Sequence, residues 1–423
     1  MIIKKMGKKR LFVLFSIAVV LYSVMVVALP AIATASEGQE RVLRIYGNAN
    51  EDDTIDMRDF TFTSRIILEL EDATTFADAN YDGDINVGDM TQIGLIIIEV
   101  PAELTFVDAN GDAVTVSKPI ERIVVHNTDA AESVRLLGAA DKVVGVAESV
   151  IREDVFFPVL ANKASTGGWR EPCIETILAI DACAIIVYGR WPRPEALEGK
   201  LVGTDVDVIR LDFFRGDTVA DEIKVLGYIL DRREEAAEYI EFHDSIVDLI
   251  SETLAGIPAD DRVTVFTGSG ERAGGWRASG EGTGIHALSV MAGGKNILDD
   301  EGITGWADVT FEWILSEDPD KIMLWSPGGG YGGDYTRMKE RFDAFHAVPG
   351  FHMLTAVVNE DVRIFVGDPA TSPAFFVTLA YIAEWFYPDD FDLCHQTIHQ
   401  EYLDRFHPVL DFCVRTEGAF SYP

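Results

Sequence analysis

The chain has few cysteines and few basic residues for its length, and both shortages restrict its function. Of 423 residues only four are Cys, and their spacing fits no zinc site. Lys and Arg number 35 against 70 Asp and Glu, which gives a formal net charge of −35. We therefore expect no nucleic-acid partner, because binding phosphates requires a basic surface. Cys394 and Cys413 flank a short C-terminal stretch that a disulfide could close, whereas a predicted helix separates Cys173 from Cys183.

Familiar catalytic motifs are also missing. There is no nucleophile elbow, no metalloprotease helix and no convincing pair of catalytic carboxylates. The glycine runs at 328–330 and 332–333 lack the Lys-Ser/Thr of a phosphate loop, and they indicate a mobile loop beside a cleft. His286 and His346 are expected to be ordinary histidines and not metal ligands. We predict a binding protein and not an enzyme. An exported enzyme on a scaffold and a structural surface protein remain the alternatives.

The N-terminus carries an export signal. Basic residues between Lys4 and Arg10 precede an apolar run, Leu11 to Leu29, and Ala33-Thr34-Ala35 fits a cleavage site. Residues 1–35 are thus a signal peptide or a membrane anchor, since the run is long enough to stay uncut. No Cys follows the run to carry a lipid. The protein is expected outside the cytoplasm, secreted or anchored at the cell surface.

Residues 36–103 contain a twelve-residue pattern twice, beginning 30 residues apart at Asn48 and Asp78. Oxygen-bearing side chains fall at loop positions 1, 3, 5 and 12, and Ca²⁺ takes six to eight such oxygens. The second loop has Gly at position 6, and the first has Asp53 there. We predict two calcium sites, with ligands Asn48, Asn50, Asp52, Thr54 and Asp59 in the first and Asp78, Asn80, Asp82, Asp84 and Asp89 in the second.

Each loop leads into one predicted helix, Phe60–Leu70 or Met90–Val100, and ends in Asp and not Glu. This pattern resembles a dockerin domain, a small α-helical calcium module that binds cohesin domains. The positions that usually contact the partner carry Met57-Arg58 and Val87-Gly88, which depart from the familiar Ser-Thr pair. Cohesin binding therefore stays open. A third acidic run, 108–112, has no acid at position 12, and we interpret it as a hairpin turn.

Short apolar strands alternate with helices from Leu104 onward, which is typical of parallel α/β sheets. A long helical pattern without proline, roughly Thr218 to Leu254, interrupts the alternation. The fold class predicted is α/β, with two Rossmann-like lobes joined by one long helix. The expected boundaries are 104–216 for the first lobe, 217–256 for the bridging helix, and 257–423 for the second lobe and tail.

Several segments between about 104 and 408 form an ordered set of motifs: 105–108 with 118–125, 136–138 with 143–146, 168–172, 291–297, 311–315 with 318–320, and 384–388. Together these segments resemble solute-binding proteins for iron chelates and cobalamin. The resemblance implies two lobes joined by a rigid helix, ligand in the cleft, and an ABC importer as partner. It also implies that Glu175 and Glu312 contact the membrane subunits.

Arginine and aromatic residues recur in loops that follow strands, where ligands of α/β sheets bind. The predicted ligand-binding residues are Trp169, Arg170, Arg190, Trp191, Arg215, Arg272, Trp276, Arg277 and Tyr331. Guanidinium groups bind carboxylates and other oxyanions, and Trp and Tyr supply flat apolar walls. The expected ligand is an anionic iron chelate of the ferric siderophore type. Corrinoids such as cobalamin, haem and simple oxyanions remain alternatives.

Overall fold

A computed structural model describes residues 41–423. The predicted signal peptide or anchor at 1–35 lies outside the described residues. Among the described helices none is both long and apolar enough to cross a membrane.

The front of the described chain is a pair of short helices, each preceded by one of the acidic loops. Helix α1 is Met57–Ile67 and helix α2 is Val87–Ile97. Asp56 and Asn86 cap them, and the Asp at position 12 of each loop completes a capping box. Both helices therefore begin three residues earlier than predicted, because the last residue of each acidic loop already lies in the first helical turn.

The first lobe is a parallel sheet behind a hairpin. The hairpin pairs β1 (Glu103–Val107) with β2 (Ala113–Ser117) around the acidic run 108–112, which confirms the predicted turn. The strands of the sheet are β3 (Ile123–Val125), β4 (Val143–Val146), β5 (Ala164–Ser165), β8 (Ala184–Val187) and β9 (Asp207–Arg210). They are all parallel, in the order β5-β4-β3-β8-β9. A separate small pair is formed by β6 (Gly167–Gly168) and β7 (Glu171–Pro172). The helices of the lobe are α3 (Thr128–Leu136), α4 (Glu148–Arg152), α5 (Ile174–Ala179) and α6 (Glu198–Leu201).

The predicted single helix from Thr218 to Leu254 is wrong. Two helices occupy this stretch, α7 (Val219–Leu230) and α8 (Arg233–Ala255), and Asp231 between them is left-handed with φ of 56°. The buried Lys118 ammonium stabilises the break, donating to Tyr228 O at 2.9 Å, to Ile229 O at 2.7 Å and to Asp231 Oδ1 at 2.7 Å. Only α8, about 35 Å long at 1.5 Å per residue, leads from one lobe to the other.

The second lobe has a mixed sheet and not the parallel one predicted. Its strands are β10 (Thr264–Arg272), β11 (Gly275–Ser279), β12 (Lys295–Asn296), β13 (Trp306–Thr310), β14 (Lys321–Ser326), β15 (Val362–Val366) and β16 (Ser421–Tyr422). Strands β10, β12, β14 and β15 run parallel, and β11, β13 and β16 pair antiparallel with their neighbours. The helices are α9 (Gly284–Met291), α10 (Phe311–Glu317), α11 (Thr336–His346), α12 (Thr355–Val358), α13 (Gly367–Ala370), α14 (Phe375–Phe386) and α15 (His395–Phe406).

Helix α14 is apolar on nearly every side because other elements surround it. Ten of its twelve residues are buried. Helix α8 packs on it, with Tyr239 donating to Pro373 O at 2.6 Å and Phe242 lying edge-on to Phe376. From the other side, α15 contributes Tyr402, whose ring meets Phe376. Together these helices form the apolar core behind the space between the sheets.

The acidic-loop module is fixed to helices α7 and α8. Tyr228 Oη accepts from the backbone N–H of Ile55 at 3.0 Å, and the Arg233 guanidinium lies 4.6 Å from the Tyr228 ring centre. The supporting ion pairs are Arg44–Glu222, Lys224–Asp53 and Arg233–Glu99. The module is thus part of the body of the protein.

Candidate functional site

A cavity of about 640 Å³ lies between the two lobes. It opens at the carboxyl ends of β3, β8 and β9 on one side and of β14 and β15 on the other, where α/β sheets bind ligands. Its first-lobe lining is Thr128, Asp129, Arg152, Glu153, Asp154, Val155, Phe156, Tyr188 and Phe214. Its second-lobe lining is residues 325–333, Val366, Gly367, Asp368 and Thr371.

Asp129 supplies the first carboxyl group of this cavity. It follows β3 directly, in the first turn of α3, and is buried. The Tyr188 hydroxyl donates to Asp129 Oδ2 at 2.8 Å, and the Thr128 hydroxyl lies 3.2 Å from Oδ1. Burial raises the pKa of Asp129 to about 7, and this exceeds the opposing effect of the Tyr188 hydrogen bond. Near neutral pH the Asp129 carboxyl group is therefore partly protonated and can either donate or accept a hydrogen bond.

Glu153 and Asp368 form a carboxyl pair across the cavity. Glu153 follows α4 in the first lobe, Asp368 follows β15 in the second, and their side chains hydrogen-bond. Burial raises the pKa of Glu153 to about 8, helped by the negative charge of Asp368. Burial also raises the pKa of Asp368 to about 6, although the bond from Glu153 opposes it. At neutral pH a protonated Glu153 thus donates to an ionised Asp368 and links the lobes.

The inner wall of the cavity is aromatic and firmly packed. Phe156 of the first lobe stacks on Tyr331 of the second with ring centres 4.0 Å apart, and Tyr331 hydrogen-bonds His399 at 2.8 Å. The glycine-rich loop continues this wall and is tied to the tail, because Gly330 and Ala419 exchange two backbone hydrogen bonds. A Cβ at Gly329, whose φ is 120°, would lie 2.6 Å from Ala419 O, so only glycine fits there.

The predicted guanidinium lining requires correction. Among the described residues, only Arg152 brings a guanidinium to this cavity, and Tyr331 is the one predicted ligand residue that lines it. Arg215 is exposed and pairs with Asp217 at 2.8 Å. Arg190 is exposed and lies near Asp212. Neighbouring surface acids thus engage these arginines, as an excess of carboxylates favours.

Arg272, Trp276 and Arg277 do not reach the cavity either. They belong to the β10–β11 hairpin, which sequence reasoning treated as a loop. Trp276 is fully buried against Phe345 in the second-lobe core, so its prediction as a cleft residue is wrong. Arg272 and Arg277 both point to Asp308 on β13, at 3.9 and 3.8 Å.

Three predicted residues gather beside the main cavity, around a second depression of about 430 Å³. Trp169 and Trp191 line it, and the Arg170 guanidinium lies 4.3 Å from the Trp169 ring and 5.0 Å from the Trp191 ring. Tyr188 and Phe214 line both spaces. The two spaces therefore form adjoining parts of one cleft.

Glu175 and Glu312 are both exposed in the first turn of a short helix, α5 and α10 respectively. Each lobe presents one of them. Their contact with membrane subunits stays a prediction.

The second acidic loop is a compact turn whose carboxylates accept hydrogen bonds from its own backbone. Asp89 accepts from the backbone N–H of Asn80 at 3.1 Å and of Asn86 at 2.7 Å, and Asp78 accepts from those of Asp82 and Gly83. Four carboxylates, at positions 1, 5, 7 and 12, belong to this loop. Oxygen donors of this kind and number suit Ca²⁺, so the residues present fit the ion by their chemistry, although no three of these carboxylates are placed together around one metal position.

The first loop has the same backbone pattern, but only two of its five predicted ligands, Asp52 and Asp59, are carboxylates. Asp59 accepts from Asn50 N at 3.2 Å and Asp56 N at 2.8 Å. Asn48 is fully buried, and its Oδ1 has no hydrogen-bond partner among the described residues, as suits a cation ligand. Arg58, however, pairs with Asp52 at 2.9 Å. This loop fits Ca²⁺ less well than the second.

The remaining candidates have ordinary surroundings. All four cysteines are free thiols, so no disulfide joins Cys394 to Cys413. His286 Nδ1 contacts Asn296 at 3.0 Å, and His346 Nδ1 contacts Phe342 O at 2.8 Å. Within residues 41–423, no group of three or more His, Cys, Asp or Glu side chains is placed to hold a metal ion.

Sequence reasoning missed the carboxyl groups of the cavity. Asp129 and Asp368 each stand within four residues of the end of a parallel strand, which was the available signal. Glu153 follows the short helix α4, and nothing local marked it.

Two α/β lobes with a cavity between the carboxyl ends of their strands define a bilobal ligand-binding protein. A family model described as periplasmic binding protein matches residues 123–368, which include the first-lobe sheet, most of the second-lobe sheet and all of the cavity lining except Thr371. The chain belongs to the periplasmic binding protein family.

Solved structures share this fold. The TroA-like periplasmic binding protein FepB from Veillonella parvula is 21% identical, with a TM-score of 0.64 over 75% of this chain and 99% of that one. The molybdate-bound periplasmic binding protein MolA from Haemophilus influenzae is 19% identical, with a TM-score of 0.58 over 74% and 98%. At these identities the likeness shows the fold alone.

A curated relative is the cobalamin-binding protein of Halobacterium salinarum, 26% identical over 218 residues. The match covers 50% of this chain and 55% of the relative. The chain thus spans about half the length of the curated relatives it matches.

Proposed function

We propose that this chain is the extracytoplasmic solute-binding protein of an ABC importer, which captures its ligand in the interlobe cavity and performs no catalysis on it. The observation that carries the proposal is the 640 Å³ cavity, to which both sheets present their strand ends. The exposed Glu175 and Glu312, one on each lobe, are the groups that would meet the membrane subunits.

The chemistry of the cavity favours a neutral or cationic ligand. Asp129, Glu153 and Asp368 supply protonated donors and one ionised acceptor near neutral pH, and a second negative charge beside Asp368 would be repelled. An anionic ferric chelate would have to pair with Arg152, the one guanidinium among the described residues that lines this cavity. A corrinoid has a flat, metal-bearing macrocycle with amide arms, which carboxyl groups and aromatic walls can bind. The cobalamin-binding relative supports the same choice.

Ligand titration followed by tryptophan fluorescence tests this choice, because Trp325 lines the cavity. Cyanocobalamin, an uncharged ferric hydroxamate and an anionic ferric catecholate are each added to the full chain. We expect saturable quenching at micromolar concentration or below with cyanocobalamin and none with the catecholate. Saturable catecholate binding without corrinoid binding would contradict the proposal.

The acidic loops are proposed to bind two Ca²⁺ ions, more tightly at the second loop because four of its five predicted ligands are carboxylates, against two in the first. Bound Ca²⁺ would neutralise these carboxylates and stiffen the loops. The exposed Met57 and Val87, at the starts of α1 and α2, are available to a cohesin-type partner. Isothermal titration of the full chain with Ca²⁺ should show two sites of unequal affinity, and absence of heat would contradict this.

A further inference from the structure

The depression beside the main cavity has features that the proposed macrocycle site does not use. It belongs to the first lobe, holds about 430 Å³, and shares Thr128, Tyr188 and Phe214 with the cavity. A ligand seated in the cavity can therefore extend into it without leaving the protein surface.

The walls of the depression suit a flat ring. Tyr188 stands edge-on to Trp169 at 5.8 Å and to Phe214 at 5.6 Å, and Trp191 completes the wall. Aromatic rings packed in this way bind further rings by stacking and edge contacts. The volume is enough for a bicyclic ring but not for a second macrocycle.

A positive charge stands at the rim. The Arg170 guanidinium is exposed, lies over the faces of Trp169 and Trp191, and makes no ion pair within residues 41–423. In a chain with twice as many acidic as basic residues, an arginine held by rings and not by a carboxylate remains available to an anion.

Two buried polar atoms of residues that line the depression have no hydrogen-bond partner among the described residues. Asn127 is buried, and its Oδ1 accepts from Ala130 N at 2.7 Å to cap α3, whereas its Nδ2 has no hydrogen-bond partner among the described residues. Ser149 Oγ is also buried and without a partner. Both residues line the depression. A buried donor left unsatisfied destabilises the folded protein, and an acceptor on a ligand would relieve that penalty.

We propose that this depression is a second subsite, which binds an aromatic nitrogen heterocycle joined to an anionic group. The inference rests on the proposed function. The amide-bearing macrocycle occupies the carboxyl-lined cavity, the heterocycle lies among Trp169, Trp191 and Phe214, and the anionic group meets Arg170. The ring nitrogens or attached oxygens accept from Asn127 and Ser149. The subsite makes the protein selective for corrinoids that carry a nucleotide arm.

The test compares cyanocobalamin with dicyanocobinamide, which has the same macrocycle without the nucleotide arm. We expect the full-length protein to bind cyanocobalamin at least tenfold more tightly. Trp191→Ala and Arg170→Gln should each weaken cyanocobalamin binding by about tenfold, which corresponds to about 1.4 kcal/mol, and leave dicyanocobinamide binding within twofold. Ser149→Ala, the smallest change, should weaken cyanocobalamin binding severalfold.

Trp306→Ala is the matched control, because this ring is 41% exposed on β13 and lines neither space. Circular dichroism and thermal unfolding establish that each variant is folded. Equal affinities for the two corrinoids, unchanged in the variants, would overturn the subsite and leave the proposed function standing. If neither corrinoid binds, the proposed ligand class is wrong and the subsite assignment falls with it.

Discussion

Replacing Glu153 by Gln should remove much of the pH dependence that the interlobe carboxyl pair gives to stability. In the folded protein Glu153 has a pKa of about 8 instead of its ordinary 4.5. The folded state therefore keeps a proton that the unfolded chain releases above about pH 4.5. This stabilisation is fully present below pH 4.5 and is lost as the pH rises through about 8.

The magnitude follows from the shift and from the partial hydration of the cleft. One pKa unit corresponds to about 1.4 kcal/mol, so complete burial would give about 5 kcal/mol. Glu153 is only half-buried, and solvent screening reduces the expected effect to about 2 kcal/mol. The side-chain amide of the Glu153→Gln variant can still donate to the ionised Asp368, so the hydrogen bond survives while the titration does not.

The assay is denaturant unfolding of both proteins at pH 5 and pH 9. Relative to the wild type, Glu153→Gln should gain about 2 kcal/mol between these two pH values. Glu148→Gln, which changes an exposed carboxyl at the start of the preceding helix α4 that lies 3.9 Å from Arg152, should follow the wild type. If the pH profiles of wild type and Glu153→Gln run parallel, the proton shared between Glu153 and Asp368 does not exist.

Three further predictions test contacts described above. Tyr228→Phe leaves the backbone N–H of Ile55 without its acceptor, so the free energy of unfolding in urea should fall by about 1–3 kcal/mol, and an unchanged value would contradict docking through this hydroxyl. Lys118→Met removes three hydrogen bonds at the α7–α8 break and should cost about 3 kcal/mol by the same measurement, whereas the exposed Lys339→Met should cost almost nothing. Asp82→Ala should abolish most of the rise in melting temperature produced by about 1 mM Ca²⁺, a concentration in the affinity range of extracellular modules. Asp52→Ala changes the equivalent position in the first loop and should reduce that rise less, because Arg58 already pairs with the Asp52 carboxylate. Equal losses in these two variants would show that the loops do not differ.

The order of strands and helices in the main body was readable from the sequence because local patterns determine it. Apolar runs such as those at β8 and β14 have no polar interruption and predict buried strands wherever they occur. The break at Asp231 was not readable. Its left-handed backbone depends on Lys118, which lies more than 100 residues earlier in the chain.

The site was predictable in position but not in chemistry. Loops after parallel strands do converge on the cavity, as expected, and Trp169, Arg170 and Trp191 lie at its edge. The choice of arginines as its lining failed because side-chain type alone does not tell which arginine is paired with a surface acid, as Arg215 is with Asp217. The hairpin that buries Trp276 is harder to predict, because it depends on a tight turn at Gly274, with φ of 77°, and a glycine in such a stretch is equally typical of a loop.

The attachment of the acidic loops to α7 and α8 also has a consequence for delivery. A partner bound to the second loop would hold the lobes in a fixed orientation, because the contacts of Tyr228, Lys224 and Arg233 prevent the module from rotating independently. A tether attached to the second loop would therefore set the direction in which the interlobe cavity faces. Delivery of the ligand to a membrane complex would then depend more on the length of that tether than on rotational diffusion of the protein.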